Sequence, residues 1–199
     1  LGSADTLTGG EGTDTAWMEI SGTGTYSPRM ASVEKVQATF SGAGTLSMSN
    51  STGATTFELL NSSAGQTITN VDSVSGMTVN ISNTGQSTTF GFDTAATIGT
   101  SDSVAISLAN VTAGTITLPG IEALSIASTE SANTLTALTA TSATTLTATG
   151  DQNLNLGTLS TKIATIDANA MTGALTVTGT STTGNTITGG SAGDTIVGA

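Results

Sequence analysis

Two stretches of this sequence set glycines and carboxylates in an order that suits a hard cation. Near one end stands Gly9-Gly10-Glu11-Gly12-Thr13-Asp14-Thr15-Ala16-Trp17. Near the other stands Gly189-Gly190-Ser191-Ala192-Gly193-Asp194-Thr195-Ile196-Val197. Both follow G-G-x-G-x-D-x-U-x, with U apolar, although Ala16 is a small U and Ala192 replaces a glycine. Nine residues before each Asp lies a degenerate copy, Asp5 with Leu7 as U, and Asn185 with Ile187 as U. Glycines allow tight turns that gather backbone carbonyls. An Asp carboxylate adds charge to that oxygen cage, and Ca²⁺ takes about six to eight such oxygens. The candidate metal-binding residues are therefore Asp5, Gly9, Gly10, Gly12, Asp14, Asn185, Gly189, Gly190 and Asp194. The x-U-x tripeptide after each turn reads as a short strand with U pointing inward.

The rest of the composition narrows the chemistry. The chain has 199 residues, 3 Lys+Arg against 14 Asp+Glu, a net charge of −11, and neither His nor Cys. There can be no Ser–His–Asp triad, no Cys nucleophile and no zinc or haem site built on His or Cys. Three basic residues cannot neutralise a row of phosphates, so no nucleic-acid partner is expected. No stretch of 18 apolar residues exists, so no membrane span is expected. Thr (44), Ser (24) and Gly (25) make up nearly half the chain, while aromatics are only 3%. The apolar residues are scattered singly among Thr and Ser, which suits many thin buried strips rather than one thick core.

Short runs of alternating polarity recur roughly every ten residues. They include 33–39, 45–49, 55–60, 77–82, 87–92, 103–108, 114–118, 121–127, 144–148, 162–167 and 174–178. Period-two alternation is the mark of a half-buried strand, and Gly, Asn and Ser between the runs form turns. No helical stripe stands out; the longest candidate, 128–143, has Thr at nearly every second position. Val33-Glu34-Lys35-Val36, Val71-Asp72-Ser73-Val74, Ile121-Glu122-Ala123-Leu124 and Ile163-Ala164-Thr165-Ile166 look like copies of one phrase, 38, 50 and 42 residues apart. This reads as all-β, a right-handed parallel β-solenoid or β-roll of stacked coils with variable loops. A β-sandwich is the alternative, since it also has short strands at this spacing. The organisation expected is one extended segment, 1–199, of a longer protein, with the calcium-type repeats at 1–17 and 180–199.

The nonapeptides resemble the RTX calcium-binding repeat of secreted bacterial proteins. RTX-like ends around a Thr/Ser/Ala-rich β region, with phrases such as IEALSIASTESANTLTALTATSATTLTATG, resemble the surface-layer (S-layer) proteins of the Caulobacter type, exported by a type I route. That resemblance implies Ca²⁺ as cofactor and a structural role in a self-assembling lattice of copies of the chain. It also implies secretion to the extracellular cell surface, with any polysaccharide contact made by regions outside this chain. Alternatives are a repetitive RTX adhesin or biofilm-matrix protein, or the non-catalytic β-roll region of a secreted hydrolase.

Other features take plainer readings. Internal acids Glu34, Glu58, Asp72, Asp93, Asp102, Glu122, Asp151 and Asp167 show no spacing that marks a glycosidase pair, so no enzyme is expected. The T-x-T pairs at 115/117, 134/136, 145/147 and 186/188 are unevenly spaced for a flat ice-binding face. Lys35 and Lys162 read as solvated lysines, and Trp17 as a cap on the end of the stack.

Overall fold

The computed structural model describes residues 4–198; Leu1, Gly2, Ser3 and Ala199 of the end repeats lie outside the described residues. The chain winds through two long sheets in alternation. Sheet I contains Thr15–Ile20, Lys35–Phe40, Thr56–Leu60, Thr78–Thr84, Ser103–Val111, Ala123–Thr129, Thr145–Gly150, Thr165–Met171 and Thr186–Thr188. Sheet II contains Thr25–Tyr26, Thr45–Ser47, Gln66–Val71, Thr88–Phe92, Thr115–Thr117, Ala137–Thr139, Leu154–Leu159, Leu175–Thr178 and Thr195–Val197. Asn133–Thr134 pairs beside this path with Leu154–Leu159, and Thr6–Thr8 pairs with Arg29–Ala31. Neighbouring strands in both sheets are parallel, as in a β-solenoid of about nine coils, and not antiparallel as in a sandwich.

The register sets the coil length. Thr15 pairs with Lys35, Lys35 with Thr56 and Thr56 with Thr78, so one coil takes 20 to 22 residues. One coil is longer: Thr78 pairs with Ala105, and the added residues carry a 3-10 turn, Thr94–Thr97. Asp93 caps that turn, its Oδ1 accepting the Ala95 N–H at 3.0 Å.

Alternation builds the core. Along Thr15–Ile20 and Lys35–Phe40 every second residue is buried. Inward residues stack on their equivalents, Ala16 on Val36 on Phe57 on Val79, and across the coil Leu46 on Ile68 on Phe90. The two faces meet where Phe57 and Phe90 pack edge to face with centroids 4.9 Å apart. The strips are thin in cross-section, as the scattered apolar residues suggest. They nevertheless join axially into one continuous column from Ala16 to Val177. Outward positions are mostly polar, and six successive strands of sheet II carry threonine at one outward rank: Thr25, Thr45, Thr67, Thr89, Thr117 and Thr139.

Corners use residues that tolerate a left-handed backbone. Asn61, Asn83, Asn110 and Glu130 sit in register at the C-terminal ends of their sheet I segments, with φ of 50°, 51°, 57° and 62°. Asn110 Nδ2 donates to Asn83 Oδ1 at 3.0 Å, tying two of these corners together.

Two sequence expectations are corrected. Val71 is not a copy of Val33, because it lies in sheet II and pairs with Phe92. Ile121 and Ile163 do match, with Ala143 one coil between them, so the true period is half the spacing that the sequence phrases suggested. Trp17 does not cap the stack: Ala16 and Met18 take the inward positions, and Trp17 points outward, 63% exposed.

Candidate cation-binding turns

Chain direction and coil length bring each nonapeptide turn to the start of a strand. At the N-terminal turn, Gly10 and Gly12 have φ of 107° and 111°, conformations that a side chain rarely adopts. Gly9 donates its N–H to the Ala31 carbonyl at 3.0 Å, and a methyl there would collide with the Ser32 carbonyl and the Asp14 carboxylate. The Asp5 carbonyl accepts the Arg29 N–H at 3.1 Å, which fixes the first repeat to the next coil. Asp14 stands immediately before Thr15–Ile20. Its own N–H donates to Glu34 Oε2 at 2.9 Å, and its carbonyl accepts the Lys35 N–H at 3.0 Å. Its Oδ2 is buried and accepts no hydrogen bond. A carboxylate oxygen shut off from water without a donor carries a desolvation cost that a cation would offset.

The C-terminal turn is built differently. Asp194 Oδ1 accepts the Leu175 N–H at 2.8 Å, and Oδ2 accepts the Gly190 N–H at 2.9 Å. Gly189 and Gly190 are not at positive φ; they are needed for close approach, to the Asp194 carboxylate and the Met171 carbonyl respectively. Asn185 Nδ2 donates to the Ile163 carbonyl at 2.8 Å. Both Asp194 oxygens are thus engaged by backbone donors, whereas Asp14 keeps one oxygen unpartnered. The N-terminal turn is the better fit for calcium. Among the described residues no three acidic, His or Cys side chains converge on a common point. Backbone carbonyls would therefore have to supply most of the ligands, as Ca²⁺ allows.

The register also reveals a construction that the sequence spacing concealed. The position before each sheet I strand holds Asp14 and then Glu34 in successive coils, and again Asp102 and then Glu122. In the second pair, Glu122 Oε2 accepts the Asp102 N–H at 3.0 Å, and Asp102 Oδ2 is again buried without a partner. The next coil follows suit in both places, Thr55 donating to the Glu34 carbonyl and Thr144 to the Glu122 carbonyl, each at 2.9 Å. The available signal was the 20-residue separation inside each pair, which is one coil.

On the outer face of sheet I, Lys35 Nζ lies 2.6 Å from Glu58 Oε1, and Gln37 Nε2 donates to Glu58 Oε2 at 2.5 Å. Burial raises the Glu58 carboxyl pKa. The hydrogen bonds from Lys35, Gln37 and Asn80 and the charge of Lys35 outweigh that, and hold it below its ordinary value. Lys35 is therefore paired, while Lys162 is exposed as expected.

Compared with protein-family models, curated proteins and solved structures, the chain gives no match. The RTX resemblance rests on the nonapeptide residues alone.

Proposed function

We propose that this chain is a structural, non-catalytic segment of a secreted, calcium-stabilised surface-layer protein that assembles with copies of itself. The observation that carries this reading is the N-terminal nonapeptide: a glycine turn folded over Asp14 at the edge of a continuous parallel stack, with one buried carboxylate oxygen left without a donor. Asp14 and neighbouring turn carbonyls would hold the ion, which when bound supplies the charge that such a carboxylate lacks. Folding and calcium binding would then be linked, which favours folding outside the cell, where calcium is plentiful.

A second reading is an adhesin, favoured by Trp17, whose exposed ring on the outer face offers a flat apolar surface of the kind that stacks on sugars. Electron microscopy of the chain in millimolar Ca²⁺ and in EGTA tests the first reading. Ordered sheets that form only with calcium support it. Isolated rods in both conditions remove lattice assembly and favour the adhesin.

A further inference from the structure

Among the described residues, Trp17 is the one aromatic side chain that faces outward from sheet I. It is 63% exposed, although Ala16 and Met18 beside it are buried in the core. Its rank continues along the stack through Gln37, Glu58 and Asn80. Parallel strands lie about 4.8 Å apart, so Gln37 stands one rung from the ring and Glu58 two.

The polar groups beside the ring are already held in place. Glu58 takes Lys35 Nζ on Oε1 and Gln37 Nε2 on Oε2, and Asn80 bonds it from the next coil. On the strand of Trp17 itself, Glu19 Oε1 accepts the Ser41 hydroxyl at 2.8 Å. These bonds leave Gln37 Oε1, Glu19 Oε2 and the further N–H groups of Lys35 for other partners. Side chains fixed in advance lose little freedom when a ligand arrives. A flat ring with fixed polar groups one and two rungs away suits a ligand with an apolar face and hydroxyl edges. A β-linked hexose chain has that shape, with C–H groups on its faces and hydroxyls along its sides.

Charge selects among such chains. Lys35 and Glu58 offset each other, Glu19 adds a negative charge, and the whole protein carries −11. A polyanionic glycan is repelled by that field, whereas a neutral one is not. We infer that the outer face of sheet I around Trp17 binds a neutral β-linked hexose polymer, stacked on the ring and running along the rank to Gln37 and Lys35. This rests on the adhesin reading, to which it adds the ligand class and the residues that hold it, and it is independent of lattice assembly.

Trp17 is the only tryptophan, so its emission reports the site directly. The full chain is titrated with cellohexaose and with chitohexaose, two neutral β-linked probes. At least one should give a saturable emission shift and protect the ring from acrylamide quenching. Trp17→Ala should keep the wild-type circular dichroism, since the ring lies outside the core, and should weaken binding at least tenfold by calorimetry. Gln37→Ala, which keeps the ring as reporter, should raise Kd about 3–10-fold. An unchanged Kd in both variants overturns the site, and binding that persists in this way leaves an adhesin that binds elsewhere. Failure of both probes on the wild-type chain also overturns it, as does tighter binding of the anionic β-linked mannuronate hexamer.

Discussion

Asn133 holds Val111 in place from the following coil: its buried Oδ1 accepts the Val111 N–H at 2.8 Å. Its Nδ2 lies 3.1 Å from the Leu108 carbonyl, 2.9 Å from Ser128 Oγ and 2.8 Å from the Ser131 carbonyl. One amide thus satisfies backbone groups at a corner where the ladder bonds run out. Asn133→Leu leaves these groups buried without partners and should cost about 1–3 kcal/mol in urea unfolding. Asn133→Asp should cost more, because a carboxylate would then face carbonyl oxygens.

Phe57 and Phe90 are both fully buried and pack edge to face across the column. Phe57→Ala should destabilise by about 3–5 kcal/mol. Since each coil contacts only its neighbours, hydrogen exchange should speed up most around Lys35–Phe40 and Thr78–Thr84, the strands that flank Phe57. Equal acceleration along the whole chain would contradict this.

Gly150 and Gly53 separate two reasons for a glycine. Both have positive φ, 115° and 93°. A methyl at Gly150 would also strike the Ser128 carbonyl, whereas at Gly53 the nearest atom is 3.7 Å away. Gly53→Ala should cost about 1–2 kcal/mol for the backbone alone, and Gly150→Ala measurably more in the same thermal melts.

Glu58 gives a pH signature. Its carboxyl is held below its ordinary pKa by Lys35, Gln37 and Asn80 against the pull of burial. Its contribution is present above the unfolded carboxylate pKa and is lost as pH falls through the lower, folded pKa. Glu58→Gln should therefore lower stability near neutral pH by less than about 1 kcal/mol, given the pair's partial exposure. Its stability should converge with wild type in acid; a gap that widens as pH falls would refute the assignment.

Calcium should raise the melting temperature, and EGTA should reverse it. At 100 times Kd, one site adds about 2.7 kcal/mol. Asp14→Asn should blunt the shift more than Asp194→Asn, because Asp194 already accepts from Gly190 and Leu175. Equal loss in both would assign the two turns the same role.

Much of the architecture was legible in the residues. Runs such as 55–60, 87–92 and 174–178 fall within a residue of the observed strands, since alternation of β-branched and small polar residues directly encodes one buried face. Of Thr15–Ile20 only the first three residues were legible, as the x-U-x tripeptide with Ala16 inward; the outward Trp17 and small inward Ala16 hid the rest of the alternation. Leu154–Leu159 hid behind Gly157, which breaks its period at a positive φ of 61°. The stacked acids were illegible without the coil length, because Asp14 and Glu34 become neighbours only through register. The two nonapeptides were legible as motifs, but not the difference between them, which lies in which backbone donors reach each carboxylate.

The coil length of 20 to 22 residues also fixes how the molecule would bear load. Ladder hydrogen bonds in a parallel stack run along its long axis, so tension applied end to end would open rungs in series rather than shear them together. Each released coil would yield about 70 Å of slack. The chain would behave as a ratcheted extension spring, giving way at modest force in even steps, with one larger step where the long coil lets go.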